Sequence, residues 1–491
     1  MATSQQAAVI FSAVVVVVLL SSLAHGRGAG AARQHYHVVQ TSHLEPKSLC
    51  SGLKEVPSGA TGTWVPVHRP FGPCSPSSRG PERAPPSLIE MLRWDQVRTE
   101  YVRRKATGMA DDVLNPAKPR VTMAQVDYSP NAAFGIGSGY GGSAAIDADG
   151  DGDSMILSQT MSIDTTVDVP WIQCAPCPVP ECYAQKNALF DPSRSSTSAA
   201  VRCGSPACRS LGSYGNGCSS NSTRNGGDCQ YLIEYSDDRA TAGTYMTDTL
   251  TISSSTTVMN FRFGCSHAVR GKFSDQTAGT MSLGGGAQSL LSQTARGFGN
   301  AFSYCVPAPS SSGFLSLGGP ATRSTNSRSS RFATTPLVRN AVNPSLYLVR
   351  LQGIVVAGRR LRVPPAVFSP GAIMDSSAVV TQLPPTAYRA LRRAFMRAMA
   401  AYPMNGKMGN LDTCYDFLGF TNVTVPAVSL VFGGGAVVVL DPPAVMLSGC
   451  LAFTPTSTDL SLGFIGNVQT QTHEVLYDVA AGTVGFRRGA C

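Results

Sequence analysis

The sequence predicts an all-β protein in two lobes, and three observations carry that expectation. The first is composition: 49 Gly, 33 Pro and only 14% charged residues, with short apolar runs separated by turn-forming stretches. The second is length, since 491 residues suffice for two domains of ordinary size after a leader is set aside. The third is a repeated pattern. Ser162-Ile163-Asp164-Thr165-Thr166-Val167-Asp168-Val169-Pro170-Trp171 is echoed in the other half by Ala372-Ile373-Met374-Asp375-Ser376-Ser377-Ala378-Val379-Val380. Each copy begins as a buried strand and turns at an aspartate followed by hydroxyl residues. Two such turns, one in each β-rich half, predict a pair of carboxylates brought together at a central cleft.

Two carboxylates held close cannot both ionise cheaply, so they share a proton. The charged one can take a proton from water while the neutral one donates to a substrate carbonyl, which is general acid–base hydrolysis of a peptide bond. That chemistry needs no cofactor and no metal. A lone Asp-Thr or Asp-Ser turn also reads as a local side-chain-to-backbone bond, so the duplication carries the inference. The net charge of +9 is diluted over a long chain without an aromatic-interleaved basic block, which argues for a solvated surface and against nucleic acid.

Taken in order, residues 8–20 are an apolar run too short for a comfortable membrane span, followed by the small residues Ala24 and Gly26. This predicts a secretory signal peptide over 1–26 and a secreted, extracellular protein. No later stretch is long and apolar enough to span a membrane. The ending Arg487-Arg488-Gly489-Ala490-Cys491 lacks the apolar tail of a lipid-anchor signal, so no membrane anchor is expected.

Residues 27–125 read as a propeptide. They are rich in Pro, Ser, Arg and Gly up to Pro86, and then Ser87-Leu88-Ile89-Glu90 forms a capping box. Leu88, Met91, Leu92, Tyr101 and Val102 supply a broken apolar face among arginines. A basic helix ahead of an acidic cleft suits a removable segment that occupies the cleft until acid weakens the attraction. The alternative is a linker carrying an incidental helix.

The N-terminal lobe is expected over 126–345. Its run Asp147-Ala148-Asp149-Gly150-Asp151-Gly152-Asp153 starts like a calcium loop, but Ser154 and Ser158 stand where an apolar residue and a bidentate glutamate belong. It reads as an acidic surface loop. Cys174, Cys177, Cys182, Cys203, Cys208, Cys218 and Cys229 follow. Cys174 and Cys177 have zinc-site spacing, yet behind a signal peptide disulfides are the expectation. Setting aside Cys50 and Cys74 with the leader leaves an even number. A hairpin is predicted over 229–251 with Tyr235 at the base of its turn, either a lid over the cleft or a surface hairpin. Strands at 261–265 and 280–283, a short helix over 289–295, a strand at 302–305 and a loop over 321–330 complete the lobe.

The C-terminal lobe, 346–491, opens on strands at Tyr347. Pro384-Pro385-Thr386 starts a helix with Tyr388, Leu391, Phe395 and Met399 on one face and Arg389, Arg392, Arg393 and Arg397 largely off it. A core-packing helix with a solvated basic side explains this better than a calmodulin or membrane site. Asn221 and Asn422 head N-glycosylation sequons, in keeping with secretion.

With these residues in view, the chain resembles the pepsin-like aspartic proteases, in particular the plant nepenthesin-type branch. The match runs through the two Asp turns, Trp-Ile-Gln-Cys at 171–174, the cysteine-rich insertion and Phe-Gly-Cys at 263–265. It continues through Phe-Ser-Tyr-Cys at 302–305 and the closing Ile465-Gly466-Asn467 to Val484-Gly485-Phe486. The resemblance implies a bilobal pepsin-like acid protease fold with a few short helices, acting as a monomer on polypeptide substrates. It implies a dyad of Asp164 and Asp375, with Thr165 and Ser376 tying the two loops together. It also implies a flap carrying Tyr235, with Trp171 hydrogen-bonded to that tyrosine.

The departures fall at the turns. Family glycines are replaced by Thr166 and Ser377, and the next hydroxyl residues by Val167 and Ala378. Glycine lets a backbone N–H approach a carboxylate, and each lost hydroxyl is expected to remove one hydrogen bond to an aspartate. The flap turn reads Ser236-Asp237-Asp238-Arg239, and a Gly/Asp-rich stretch over 135–153 precedes the first turn. Two functions follow as expectations: a secreted aspartic endopeptidase working in acid, or a catalytically impaired binder or inhibitor of the plant cell wall on the same scaffold.

Overall fold

Strands β1 (Tyr36–Gln40) and β2 (Thr63–Val67) precede the long helix α1 (Leu88–Ala106). The first half of the body then runs through β3 (Asn131–Ile136), β4 (Leu157–Asp164), β5 (Trp171–Gln173), β6 (Cys229–Ser236), β7 (Arg239–Ser253), β8 (Thr256–Arg270), β9 (Gly279–Ser282), β10 (Ala301–Cys305) and β11 (Gly313–Leu317). The second half has β12 (Ala333–Pro336), β13 (Tyr347–Val349), β14 (Ala372–Met374), β15 (Thr381–Leu383), α2 (Pro385–Ala398), β16 (Asn422–Pro426), β17 (Phe453–Pro455), β18 (Gly463–Ile465), β19 (His473–Asp478) and β20 (Thr483–Arg488). Shorter strands and single-turn helices fill the intervals. This is the computed structural model of the chain, and it describes residues 35–43, 50, 63–75, 86–108, 129–138, 156–178, 180–219, 226–236, 239–271, 273–307, 311–320, 331–489 and 491. The expected signal peptide, the acidic run 147–153, the sequon asparagine Asn221, Asp237 and Asp238 of the flap turn and the loop 321–330 lie outside the described residues.

The fold is mostly strand, in two lobes, as the sequence predicts. One lobe holds a nine-stranded sheet whose path is β8-β5-β9-β4-β3-β7-β6, with short strands added on β6 and β7. The other holds a six-stranded sheet built from β13, β14, β18, β15 and β17 with the short strand Val338–Arg339 on its edge. A six-stranded sheet in the order β12-β20-β19-β10-β11-β2 joins them and takes strands from both halves. Its core is aromatic: Phe302 stacks on Tyr477 with centroids 4.6 Å apart, and Tyr347 and Tyr304 pack alongside.

One motif is built twice, and it places the aspartates. β9 lies between β4 and β5, parallel to the first and antiparallel to the second, pairing Ser282 with Asp164. β18 likewise runs parallel to β14 and antiparallel to β15, pairing Ile465 with Met374. Each late strand inserted between two early ones leaves an aspartate at the end of the first. The twin turns therefore meet at the lobe boundary.

Residues 27–86 carry more structure than their Pro/Ser-rich composition predicts. β2 is an edge strand of the joining sheet, in register with β11 from Thr63–Leu317 to Val67–Gly313, with Val65 and Val67 buried. β1 pairs along β16, placing Gln40 opposite the exposed sequon residue Asn422. Neither strand is legible because each is one short run whose partner is remote in sequence.

All 14 cysteines are paired. Cys50 bonds Cys74, while Cys174 bonds Cys265 and Cys177 bonds Cys182, so the zinc-like spacing splits between two disulfides. Cys203–Cys218 and Cys208–Cys229 brace the insertion, Cys414–Cys450 lies in the second lobe, and Cys305–Cys491 anchors the C-terminus to β10. This density of bridges belongs to an oxidising, secretory setting. On α2, Tyr388, Leu391, Phe395 and Met399 are buried while Arg389, Arg393 and Arg397 are exposed, which settles it as a core-packing helix. Among the described residues no helix is long and apolar enough to cross a membrane, and no cluster of His, Cys, Asp or Glu could hold a metal.

Candidate active site

Both aspartates are buried, 4% exposed for Asp164 and 1% for Asp375, and hydroxyl residues bind their loops to one another. The Ser376 amide donates to Thr165 Oγ1 at 3.1 Å, and the Thr165 amide donates to Ser376 Oγ at 3.3 Å. The same two hydroxyls reach across to the carbonyls before the opposite aspartates, Ser376 Oγ to Ile163 and Thr165 Oγ1 to Met374. This near-symmetric set fixes two loops from different lobes at one point. Thr165 and Ser376, the pair that the family resemblance points to, thus lie side by side.

The third turn positions differ from expectation. The Thr166 amide still donates to Asp164 Oδ1 at 2.7 Å, and the Ser377 amide donates to Asp375 Oδ1 at 2.8 Å. Neither residue is among those with positive φ, so ordinary L-residue backbone suffices there. Thr166 Oγ1 also donates to Asp164 Oδ1 at 2.7 Å. The hydroxyl lost at position 167 is thereby replaced one residue earlier, and the predicted net loss of a bond at Asp164 does not occur. At the second turn Ser377 Oγ instead accepts from Ser129 Oγ at 2.7 Å. Val167 belongs to the buried cluster that holds Val169, Trp171, Tyr231 and Tyr245, whereas Ala378 belongs to the one that takes Val102 and Ala106 from α1. Each lost hydroxyl is exchanged for apolar contact.

The β6–β7 hairpin stands over this point. Trp171 Nε1 donates to Tyr235 Oη at 2.7 Å, and both rings meet Phe273 edge-on. Burial pushes the Tyr235 phenol well above its ordinary range, so it stays a neutral donor and acceptor.

Helix α1 occupies the space between hairpin and aspartates. Ser87 caps it through the full capping box, and its body-facing side buries Leu92, Asp95, Thr99, Val102, Arg103 and Ala106. Arg98 lies over both carboxylates: Nη1 is 2.5 Å from Asp375 Oδ2, while Nη2 is 3.2 Å from Asp164 Oδ2 and 3.0 Å from Thr166 Oγ1. Tyr101 Oη donates to the hairpin carbonyl of Glu234 at 3.0 Å. Arg103 donates to Leu462 O and Gln382 Oε1, and Gln382 Nε2 donates to Thr99 Oγ1. Asp95 Oδ1 accepts from the Val379 amide at 2.9 Å, and burial raises its pKa to about 7.

Sequence reasoning missed Arg98 and Asp95 as individuals. The available signal was the break in the apolar face: Leu92, Asp95, Thr99 and Val102 share one side at helical spacing. It also missed Asp168, whose carboxylate accepts from Gly286 N at 2.9 Å and from Ser345 Oγ. Gly286 must lack a side chain there, because a Cβ would lie 2.0 Å from Asp168 Oδ2.

Comparison with known proteins agrees with this geometry. Residues 156–319 match the family model described as xylanase inhibitor N-terminal, and residues 346–488 match xylanase inhibitor C-terminal. An aspartyl protease family protein of Arabidopsis thaliana is 34% identical over 479 residues, covering 94% of this chain and 95% of the relative. Aspartic proteinase nepenthesin-2 of Nepenthes gracilis is 32% identical over 345 residues, 67% of this chain and 74% of the relative. Among solved structures, edgp superposes with a TM-score of 0.58 at 18% identity, covering 88% of this chain and 96% of that one. Soybean basic 7S globulin superposes with a TM-score of 0.54 at 19% identity, covering 73% and 94%. Motif, topology and relatives converge: the chain belongs to the plant pepsin-like aspartic protease family.

Proposed function

We propose that the protein is the proform of a secreted aspartic endopeptidase, with Asp164 and Asp375 as its dyad and residues 27–125 as a removable propeptide. The observation that carries this reading is Arg98, whose guanidinium bridges both carboxylates from a helix lying across the cleft. A cation seated there neutralises the pair and takes the place of the attacking water. Acid that protonates either carboxylate removes one half of the ion pair and loosens the helix. With the helix gone, one carboxylate accepts a proton from water as its oxygen bonds to the scissile carbonyl carbon, and the other donates to the carbonyl oxygen. Collapse of the tetrahedral intermediate breaks the C–N bond as the amine takes the proton that the first carboxylate received from water, and a hydroxyl proton of the intermediate returns to the second carboxylate. Tyr235, held by Trp171, closes over the bound polypeptide. Glycosylation at Asn221 and Asn422 belongs to the same secretory reading.

A second reading, a non-catalytic binder, is favoured by Thr166 and Ser377 in place of glycine and by the xylanase-inhibitor description of the matched models. One experiment separates them. The full chain is stepped from neutral pH to about 3–4, where aspartate carboxylates in general take up protons, with Asp375→Asn beside it. Shortening of the parent alone, blocked by pepstatin, supports the protease. A folded parent that neither shortens nor cleaves any added polypeptide at acid pH sinks that reading in favour of the binder.

A further inference from the structure

Helix α1 fills the cleft with a second cation. About two turns beyond Arg98, the Lys105 ammonium lies 5.5 Å from the ring centroid of Tyr214 and 5.6 Å from that of Tyr101 on its own helix. Burial holds the Lys105 pKa below its ordinary range, and the nearby Asp168, Glu234 and Asp164 carboxylates partly offset that. These neighbours come from separate elements: Asp168 from the first aspartate loop, Glu234 from β6, and Tyr214 from the cysteine-rich insertion.

What remains after α1 departs decides what this place can do. Tyr101 leaves with the helix. Tyr214 stays, because it packs on the cluster of Val169, Trp171, Leu211 and Tyr231 in the body of the lobe. Asp168 stays as well, held by Gly286 N and Ser345 Oγ. Glu234 is anchored through β6, and its side chain, 46% exposed, reaches Arg270 at 3.3 Å. An aromatic face with carboxylates around it is the environment that holds an ammonium or guanidinium against water. It also lies on the line the helix follows through the cleft from Arg98.

The geometry points to a cation subsite, formed by Tyr214, Asp168 and Glu234 and filled in this chain by Lys105, that takes a lysine or arginine side chain of a bound polypeptide. Lys105 is then a stand-in for substrate, as Arg98 is a stand-in for water and the reacting carbonyl. The inference deepens the protease reading by naming a basic residue in the preferred substrate; its binding component does not depend on cleavage.

The test uses acid-processed full-length protein and octapeptides that carry lysine or its uncharged isostere norleucine at each position in turn. Reduced-amide versions, which cannot be hydrolysed, are titrated alongside. The expected result is one position at which lysine is preferred about tenfold over norleucine in both kcat/KM and affinity, with arginine following lysine. Glu234→Gln and Tyr214→Leu should each reduce that ratio. Cleavage with no lysine preference at any position overturns the inference and leaves the protease intact. No cleavage of any peptide overturns the protease; the reduced-amide titration is then made on protein whose 86–108 segment has been cut out by an added protease, where equal affinities for lysine and norleucine overturn the subsite too.

Discussion

Thr166 holds Asp164 through backbone and side chain together. A threonine in a glycine position suggests a lost amide and a crowded turn. In the folded chain its amide and hydroxyl both donate to Asp164 Oδ1. No one-dimensional rule predicts that, because it depends on the turn carrying position 166 back over the carboxylate. Thr166→Val keeps the shape and removes one bond to a charged group, worth about 1.5–3 kcal/mol. On the protease reading, acid-processed protein should therefore lose about 10- to 150-fold in kcat/KM, and Thr166→Ser should retain most of it. Asp95 makes a prediction about pH. Its pKa is raised to about 7 when α1 is docked, chiefly by burial, against an ordinary 3.8. A carboxyl with a raised docked pKa binds its proton better docked than free, so its contribution to docking improves as pH falls from above 7 towards 4. That runs opposite to the Arg98 pairs, which acid weakens. Asp95→Asn should protect the 88–106 amides from hydrogen exchange more than the parent at pH 8, with the difference gone near pH 4.

Helix α1 is an element whose start was plain and whose buried side was not. Ser87 and Glu90 announce its start, and the capping box forms in full. Its buried side was harder to see because that side is chemically mixed: Leu92 enters a pocket with Val379, Val380, Leu411 and Val468, while Asp95, Thr99 and Arg103 make polar contacts a turn or two away. A helix that packs on a pair of buried carboxylates meets polar groups, so the apolar stripe is interrupted. The same logic fixes the expected ranking of substitutions. Leu92→Ala deletes a fully buried side chain and should cost about 2–5 kcal/mol of docking. Ser87→Ala removes a cap at an exposed end and should cost about 1 kcal/mol. Both should move acid release of the helix to higher pH, Leu92→Ala further, as followed by susceptibility of the 86–108 segment to an added protease.

At the scale of the whole molecule, the two-lobed β architecture was readable because its signature is duplicated, whereas the sheet that joins the lobes was not. That sheet draws β10 and β11 from the first half, β12, β19 and β20 from the second, and β2 from the region ahead of α1. Pairings so distant in sequence leave no local pattern, and five residues of Thr-Trp-Val-Pro-Val between Gly- and Pro-rich stretches look like linker. Yet β2 buries Val65 and Val67 in the main core, and beyond it Arg69 Nε donates to Pro307 O at 2.8 Å. The region ahead of β3 is therefore two things at once: a helix across the cleft and an edge of the central sheet. An edge strand removed before folding leaves an open row of backbone donors and acceptors beside exposed apolar side chains, which invites aggregation. A chain comprising residues 129–491 alone should accordingly refold poorly from denaturant at neutral pH. Supplying residues 35–108 as a separate chain should restore soluble, monomeric protein, while the same piece carrying Val65→Asp and Val67→Asp should not. Efficient refolding of 129–491 unaided, judged by light scattering and near-UV circular dichroism, would show that β2 is dispensable to the sheet and leave the cleft helix as the sole structural role of residues 35–108.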